Sequence, residues 1–84
     1  MSMKYIVVDY GYSEDMIIFP STTNHKDMAE KFKDFPIVSA GFVKYDDCVT
    51  LNPVYCYGES TTLHLTCRKE RDNFLLRSAI SSDF

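Results

Sequence analysis

The cysteines and histidines are the residues that could support metal or nucleophilic chemistry, and their spacing argues against both. A structural metal site needs three or four converging Cys, His or carboxylate ligands, and the best set here is Cys56, His64 and Cys67. In an extended strand His64 and Cys67, three positions apart, point to opposite faces. Cys48 follows Asp47, a setting that disfavours the reactive thiolate. We therefore predict neither a metal site nor a catalytic cysteine.

Adjacent carboxylates, which could act as general acid and base, occur at Asp46-Asp47 and at Glu14-Asp15. Both pairs lie between strand-like segments, where acids are common turn residues. The three glycines are too scattered to form a phosphate-binding loop. We expect a non-enzymatic protein that uses no cofactor.

The stretch from Pro36 to Cys67 has the most unusual charge pattern in the chain. Its second part, residues 46–67, holds three acids and no Lys or Arg, with tyrosines within or beside it. Tyrosine is enriched at protein interfaces because its large rigid ring has a polar end. The alternative is that these tyrosines simply cover the outer face of a sheet. We predict a protein-binding surface formed by Tyr45, Asp46, Asp47, Tyr55, Tyr57 and Glu59.

Length and composition indicate one small domain spanning residues 1–84. A hydrophobic fraction of 45% and a charged fraction of 25% are typical of globular proteins. The net charge of −3 disfavours nucleic-acid binding, which needs clustered Lys and Arg. We expect no membrane span, because no segment approaches about 20 apolar residues. The N-terminal segment does not resemble a secretory signal, and three cysteines without CxxC spacing suit reduced thiols in the cytoplasm.

The pattern of apolar residues predicts an α+β fold of order ββαβββ. Strands are expected at residues 3–10, 15–20, 37–45, 48–57 with an interruption at Asn52-Pro53, and 61–67. A helix over residues 24–33 would place Met28, Phe32 and Phe35 on one stripe facing the sheet. Asn24 is its predicted cap, which leaves His25 exposed in the first turn.

The C-terminal segment, residues 68–80, permits two interpretations. Asp72 could cap a short helix whose apolar face is Phe74, Leu75 and Ala79. A sixth strand over residues 73–76 is the alternative. The mainly antiparallel sheet would be covered on one face by the helix at residues 24–33, and this C-terminal segment would add a second helix.

These features favour a small protein-binding module that occupies a surface of its target and that would serve as an inhibitor or regulator. The expected partner is another protein with a basic surface, and a homodimer would suit a domain of this size. In build, being short, acidic and tyrosine-rich, the chain resembles small phage-borne inhibitors of host machinery, anti-CRISPR proteins included. That resemblance is one of build and not of motif. The alternative is a small-ligand regulatory or sensor domain with a pocket between helix and sheet.

Overall fold

A four-stranded antiparallel sheet is the centre of the molecule. The computed structural model describes residues 2–45 and 54–81. The strands are β1 (Ser2–Asp9), β2 (Glu14–Phe19), β3 (Ile37–Tyr45) and β4 (Val54–Tyr57). Their order in the sheet is β2-β1-β3-β4. The mixed α+β class and the antiparallel sheet are confirmed.

The central strand β1 is buried on both faces of the sheet. Its four residues from Tyr5 to Val8 are completely inaccessible to solvent. As the alternation of the sequence predicts, Ile6 and Val8 belong to one apolar cluster, and Tyr5 and Val7 belong to another. A strand between two cores needs a covering layer on each side of the sheet.

The first covering layer consists of a short helix and a small hairpin. The helix α1 (His25–Glu30) is followed by a turn, and the hairpin pairs β5 (Glu59–Ser60) with β6 (Leu65–Thr66). The expected packing of Met28 and Phe32 towards the sheet is confirmed, and Leu63 and Leu65 join them. The expectation is wrong at Phe35, which is 42% exposed, because α1 ends at Glu30 and the helical spacing does not continue to residue 35.

The cap predicted for α1 is absent. The Asn24 side chain makes no capping hydrogen bond, and its amide nitrogen lies 3.5 Å from Asp27 Oδ2. The helix is therefore held by its packing rather than by its cap.

The second covering layer is α2 (Lys69–Ser81), so the helical interpretation of the C-terminal segment is the correct one. Leu76 is 1% exposed and packs with Tyr5 and the rest of that cluster. The expected apolar face is wrong at Phe74, which is 56% exposed, and at Ala79, which is also exposed, and is right at Leu75, which packs on the core. The buried stripe instead runs through Asp72 and Leu76, which are four residues apart and so share one face of the helix.

The strand predicted over residues 61–67 is confirmed only at Leu65–Thr66 and is wrong over residues 61–64. Residues 61–64 form a turn between β5 and β6, and His64 adopts a left-handed φ of 57°. Leu65 packs on the α1 side of the sheet, whereas Cys67, which lies beyond the end of β6, packs on the α2 side. The strand expected at residues 48–51 lies outside the described residues.

Neither helix of the described chain is long and apolar enough to cross a membrane.

Candidate protein-binding surface

Tyr55 and Tyr57 lie side by side on β4. Because they are two positions apart in a strand, both side chains point to the same face of the sheet, and their ring centroids are 6.0 Å apart. The Tyr57 ring stacks on Phe42 of β3, its direct partner in the register, with a centroid distance of 5.5 Å. Tyr55 is 39% exposed. The structure thus brings together two of the predicted tyrosines on a third ring.

Of the other four predicted site residues, the structure describes only Glu59 and the backbone of Tyr45. Glu59 is exposed at the start of β5, two residues after Tyr57. Tyr45 is the last residue of β3, and its backbone pairs with Val54. Asp46 and Asp47 lie outside the described residues, so their part in the surface stays a prediction.

Two residues of this surface were missed by the sequence analysis. Phe42 stacks with the Tyr57 ring from the neighbouring strand, and exposed Lys44 lies directly opposite Tyr55. Both precede the acidic stretch in sequence, and only the register of β3 against β4 reveals them. The surface formed by Phe42, Lys44, Tyr55, Tyr57 and Glu59, which we call the β4 aromatic surface, therefore carries both signs of charge.

The Phe42 ring also contacts a buried ring, that of His25. The His25 ring lies edge-on to Phe42 at 5.5 Å and to Phe19 at 5.8 Å. The expectation that His25 is exposed is wrong, because its side chain reaches inward and places Nε2 2.8 Å from the Gly41 carbonyl oxygen. Burial lowers the pKa of His25, with a further contribution from the positive charge of Lys4 and an opposing one from the bond to Gly41.

The outer edge of β4 is closed by groups from other elements. The Cys56 amide donates to Asn73 Oδ1 of α2 at 2.8 Å, and the Cys67 amide donates to the Gly58 carbonyl at 3.0 Å. On its inner side β4 lies so close to β3 that a Cβ at Gly41 would be 2.6 Å from the Tyr57 carbonyl oxygen. The tyrosines are thus carried by a strand fixed along both edges.

A buried carboxylate holds α2 against the sheet beneath this surface. Asp72 is completely buried, and it accepts hydrogen bonds from Tyr5 Oη at 2.5 Å, Ser39 Oγ at 3.0 Å and the Arg68 guanidinium at 2.9 Å. Arg68 also bonds Glu14 of β2 at 3.0 Å. The bond from Arg68 lowers the pKa of Glu14, and burial raises the pKa of Tyr5. Every buried side-chain nitrogen and oxygen of the described residues has a partner.

Cys56 and Cys67 are free thiols on the α2 side of the sheet. Burial raises the pKa of Cys56 to about 12 and also raises the pKa of Cys67. Such thiols remain protonated and weakly nucleophilic at neutral pH. Within residues 2–45 and 54–81, no three Cys, His, Asp or Glu side chains are arranged to hold a metal ion.

A cavity of about 220 Å³ lies beside the β4 aromatic surface, between α1 and the β5–β6 hairpin. Phe42 and His25 belong to its wall, and the remaining lining is polar or charged. The lining residues are Lys4, Asn24, His25, Phe42, Glu59, Ser60, Thr61 and Thr62.

The fold and this site define a small α+β domain with an exposed aromatic surface at one end of its sheet. Comparison of the chain with protein-family models, curated proteins and solved structures finds no match. Its function is therefore inferred from its own geometry.

Proposed function

We propose that this protein is a non-enzymatic protein-binding module that contacts its target through the β4 aromatic surface. The observation that carries the proposal is the pairing of half-exposed Tyr55 with Tyr57 on the ring of Phe42. Rings that are already packed lose little conformational freedom when a partner covers them, so their burial contributes directly to affinity. Binding of this kind would inhibit or regulate the target by covering part of its surface.

Charge favours a target with a basic surface. The chain carries a net charge of −3, whereas within the β4 aromatic surface exposed Lys44 offsets exposed Glu59, so the preference comes from the molecule as a whole. Long-range attraction of this sign raises the association rate, while buried aromatic rings set the dissociation rate. The same net charge disfavours a nucleic-acid partner.

The target is proposed to dock on the face of the sheet and not on the edge of β4. Strand addition needs unpaired backbone groups, and the Cys56 N–H and the Gly58 C=O are already bonded to Asn73 and Cys67.

We propose that the protein acts in the cytoplasm because Cys56 and Cys67 are free thiols, and free thiols persist in reducing compartments.

Photo-crosslinking from two positions tests this proposal. A photoreactive phenylalanine replaces Tyr55 in one variant and Tyr12, which is 88% exposed in the β1–β2 turn, in the other. In an extract of the source cells, the probe at position 55 should crosslink one protein that the probe at position 12 does not. Identical products from both positions, or none from position 55, would overturn the proposal.

A sensor domain that binds a small ligand is the second candidate, and the cavity between α1 and the hairpin favours it. Its volume of about 220 Å³ is small beside the 300–1,000 Å³ typical of ligand pockets, so the ligand would be a small polar molecule. A metabolite that binds there should raise the melting temperature of the wild type. Thr62→Trp, which fills the cavity from its exposed rim, should abolish that rise.

A further inference from the structure

The two edges of the four-stranded sheet differ in whether their outward backbone groups are hydrogen-bonded. At the β4 edge, outward backbone groups are bonded to Asn73 and Cys67. At the other edge, β2 pairs with β1 and with no other strand of the described chain. Its six pairs with β1 run without a bulge from Asp9↔Glu14 to Lys4↔Phe19. Natural sheets usually block such an edge, because a regular unpaired edge is a template for another strand.

Two hydrogen bonds fix which backbone groups of β2 point outward. The Tyr10 amide donates to the Ser13 carbonyl across the turn, and the Asp9 amide donates to Pro36 on the opposite side of β1. Backbone groups alternate in direction along an antiparallel strand. The N–H and C=O groups of Glu14, Met16 and Ile18 therefore point away from β1, at the open edge.

We propose that β2 pairs antiparallel with β2 of a second copy of this chain, with the two-fold axis passing through Met16. This register places Met16 opposite Met16 of the partner subunit and Glu14 opposite Ile18 of the partner subunit. All three outward residues of each strand are then hydrogen-bonded. Moving the axis to Ile17 would set Glu14 opposite Pro20, which has no N–H to donate. The result is a continuous eight-stranded sheet.

Side-chain chemistry agrees with self-pairing in this register. The side chains of Met16, Ile17 and Ile18 are each partly exposed in one chain, and the second strand would cover them. The acids Glu14 and Asp15 face Ile18 and Ile17 of the partner subunit, so no like charges lie directly opposite one another, a placement that would be destabilising. Because β2 and β4 are at opposite edges, the dimer leaves both β4 aromatic surfaces free.

Disulfide trapping tests the register. Residues in a hydrogen-bonded antiparallel pair have Cα atoms about 5.5 Å apart, which lies in the range that a disulfide spans. Met16→Cys should therefore form a covalent dimer under mild oxidation with glutathione disulfide, at least tenfold faster than Ile18→Cys or Tyr12→Cys. Wild type, which keeps the native thiols, gives the background. Equal rates for Met16→Cys and Tyr12→Cys would overturn the proposal, and faster trapping of Ile18→Cys would overturn the register.

Mass as a function of concentration supplies an independent test. Wild type should shift from monomer towards dimer as its concentration rises in sedimentation equilibrium. Met16→Pro removes an outward N–H that β1 does not use, a change that edge strands tolerate, so it should remain folded by circular dichroism and monomeric. Wild type that stays monomeric up to about 1 mM, or folded Met16→Pro that dimerises as wild type does, would overturn the proposal.

Discussion

At the scale of single residues, two buried polar side chains account for much of what the sequence could not predict. Asp72 was recognisable as an acid near the start of a helix. Its hydrogen bonds, however, reach Tyr5, which is 67 positions away in the sequence, and Ser39, which is 33 positions away. His25 was predicted to be exposed because it follows the expected cap. Whether a polar side chain points outward or inward depends on tertiary neighbours, here the Gly41 carbonyl, and sequence pattern does not supply them.

Removing the Asp72 carboxylate should severely destabilise the protein. Asp72→Ala would leave the buried hydroxyls of Tyr5 and Ser39 without their acceptor, while Arg68 would keep Glu14. Each buried polar group left unpaired typically costs about 1–3 kcal/mol, so we expect a total loss of about 2–6 kcal/mol. Urea denaturation should show a loss of this size. Glu70→Ala removes an exposed acid from the same helical turn and should cost no more than about 1 kcal/mol. Similar midpoints for both variants would contradict the structural role of Asp72.

His25 should make stability depend on pH below about 6.5. Because its pKa is lowered in the folded protein from the ordinary value of 6.5, the unfolded chain takes up the proton first as the pH falls. This loss is absent above pH 6.5, and below it stability declines by at most about 1.4 kcal/mol per pH unit for one proton.

The matched variant is His25→Gln, which retains a donor for the Gly41 carbonyl but does not titrate. Its unfolding free energy between pH 6.5 and 5 should decline less steeply than that of wild type. Working above pH 5 avoids titration of Glu14, whose pKa lies below 4.5. Parallel curves for the two proteins would show that His25 is not the titrating group.

At the scale of elements, the two apolar strands of the first hairpin were predictable and the short second hairpin was not. Residues 5–8 and 16–19 are continuous apolar runs because both faces of β1 and β2 meet apolar layers. Residues 61–67 alternate cleanly, yet the turn at residues 61–64 interrupts them. A turn of this kind keeps Leu63 and Leu65 on one core, so the periodicity of the apolar residues does not distinguish it from a strand.

Gly41 should be essential for the position of β4. Gly41→Ala would set a Cβ 2.6 Å from the Tyr57 carbonyl oxygen and 3.2 Å from Tyr5 Cε1, so β4 must move away from β3. We expect a loss of about 1–3 kcal/mol in unfolding free energy, as for other overpacked cores. Lys44→Ala, at an exposed site on the same strand, should change stability by no more than about 0.5 kcal/mol. Wild-type stability of Gly41→Ala would contradict the tight β3–β4 spacing.

At the scale of the whole molecule, the fold class followed from the order of the predicted elements, but the layering did not. The helix near residue 25 was expected to be the principal layer on the sheet, whereas α2 is the longer helix and covers the second face. The candidate site was likewise predictable only in part. Tyr55 and Tyr57 were identifiable from composition and spacing, while Phe42 and Lys44 join them only through strand register.

The dissociation rate of the protein identified by crosslinking measures directly whether the β4 aromatic surface binds that protein. Once that target is purified, Tyr55→Ala and Tyr57→Ala should each raise the dissociation rate constant about 5- to 150-fold, equivalent to the loss of about 1–3 kcal/mol expected for an aromatic hot spot. Tyr12→Ala, which removes an exposed tyrosine from the β1–β2 turn, should leave that rate unchanged. Surface plasmon resonance with folded variants provides the measurement. Wild-type dissociation from both β4 variants, together with accelerated dissociation from Tyr12→Ala, would contradict the account and place the binding surface at the first hairpin.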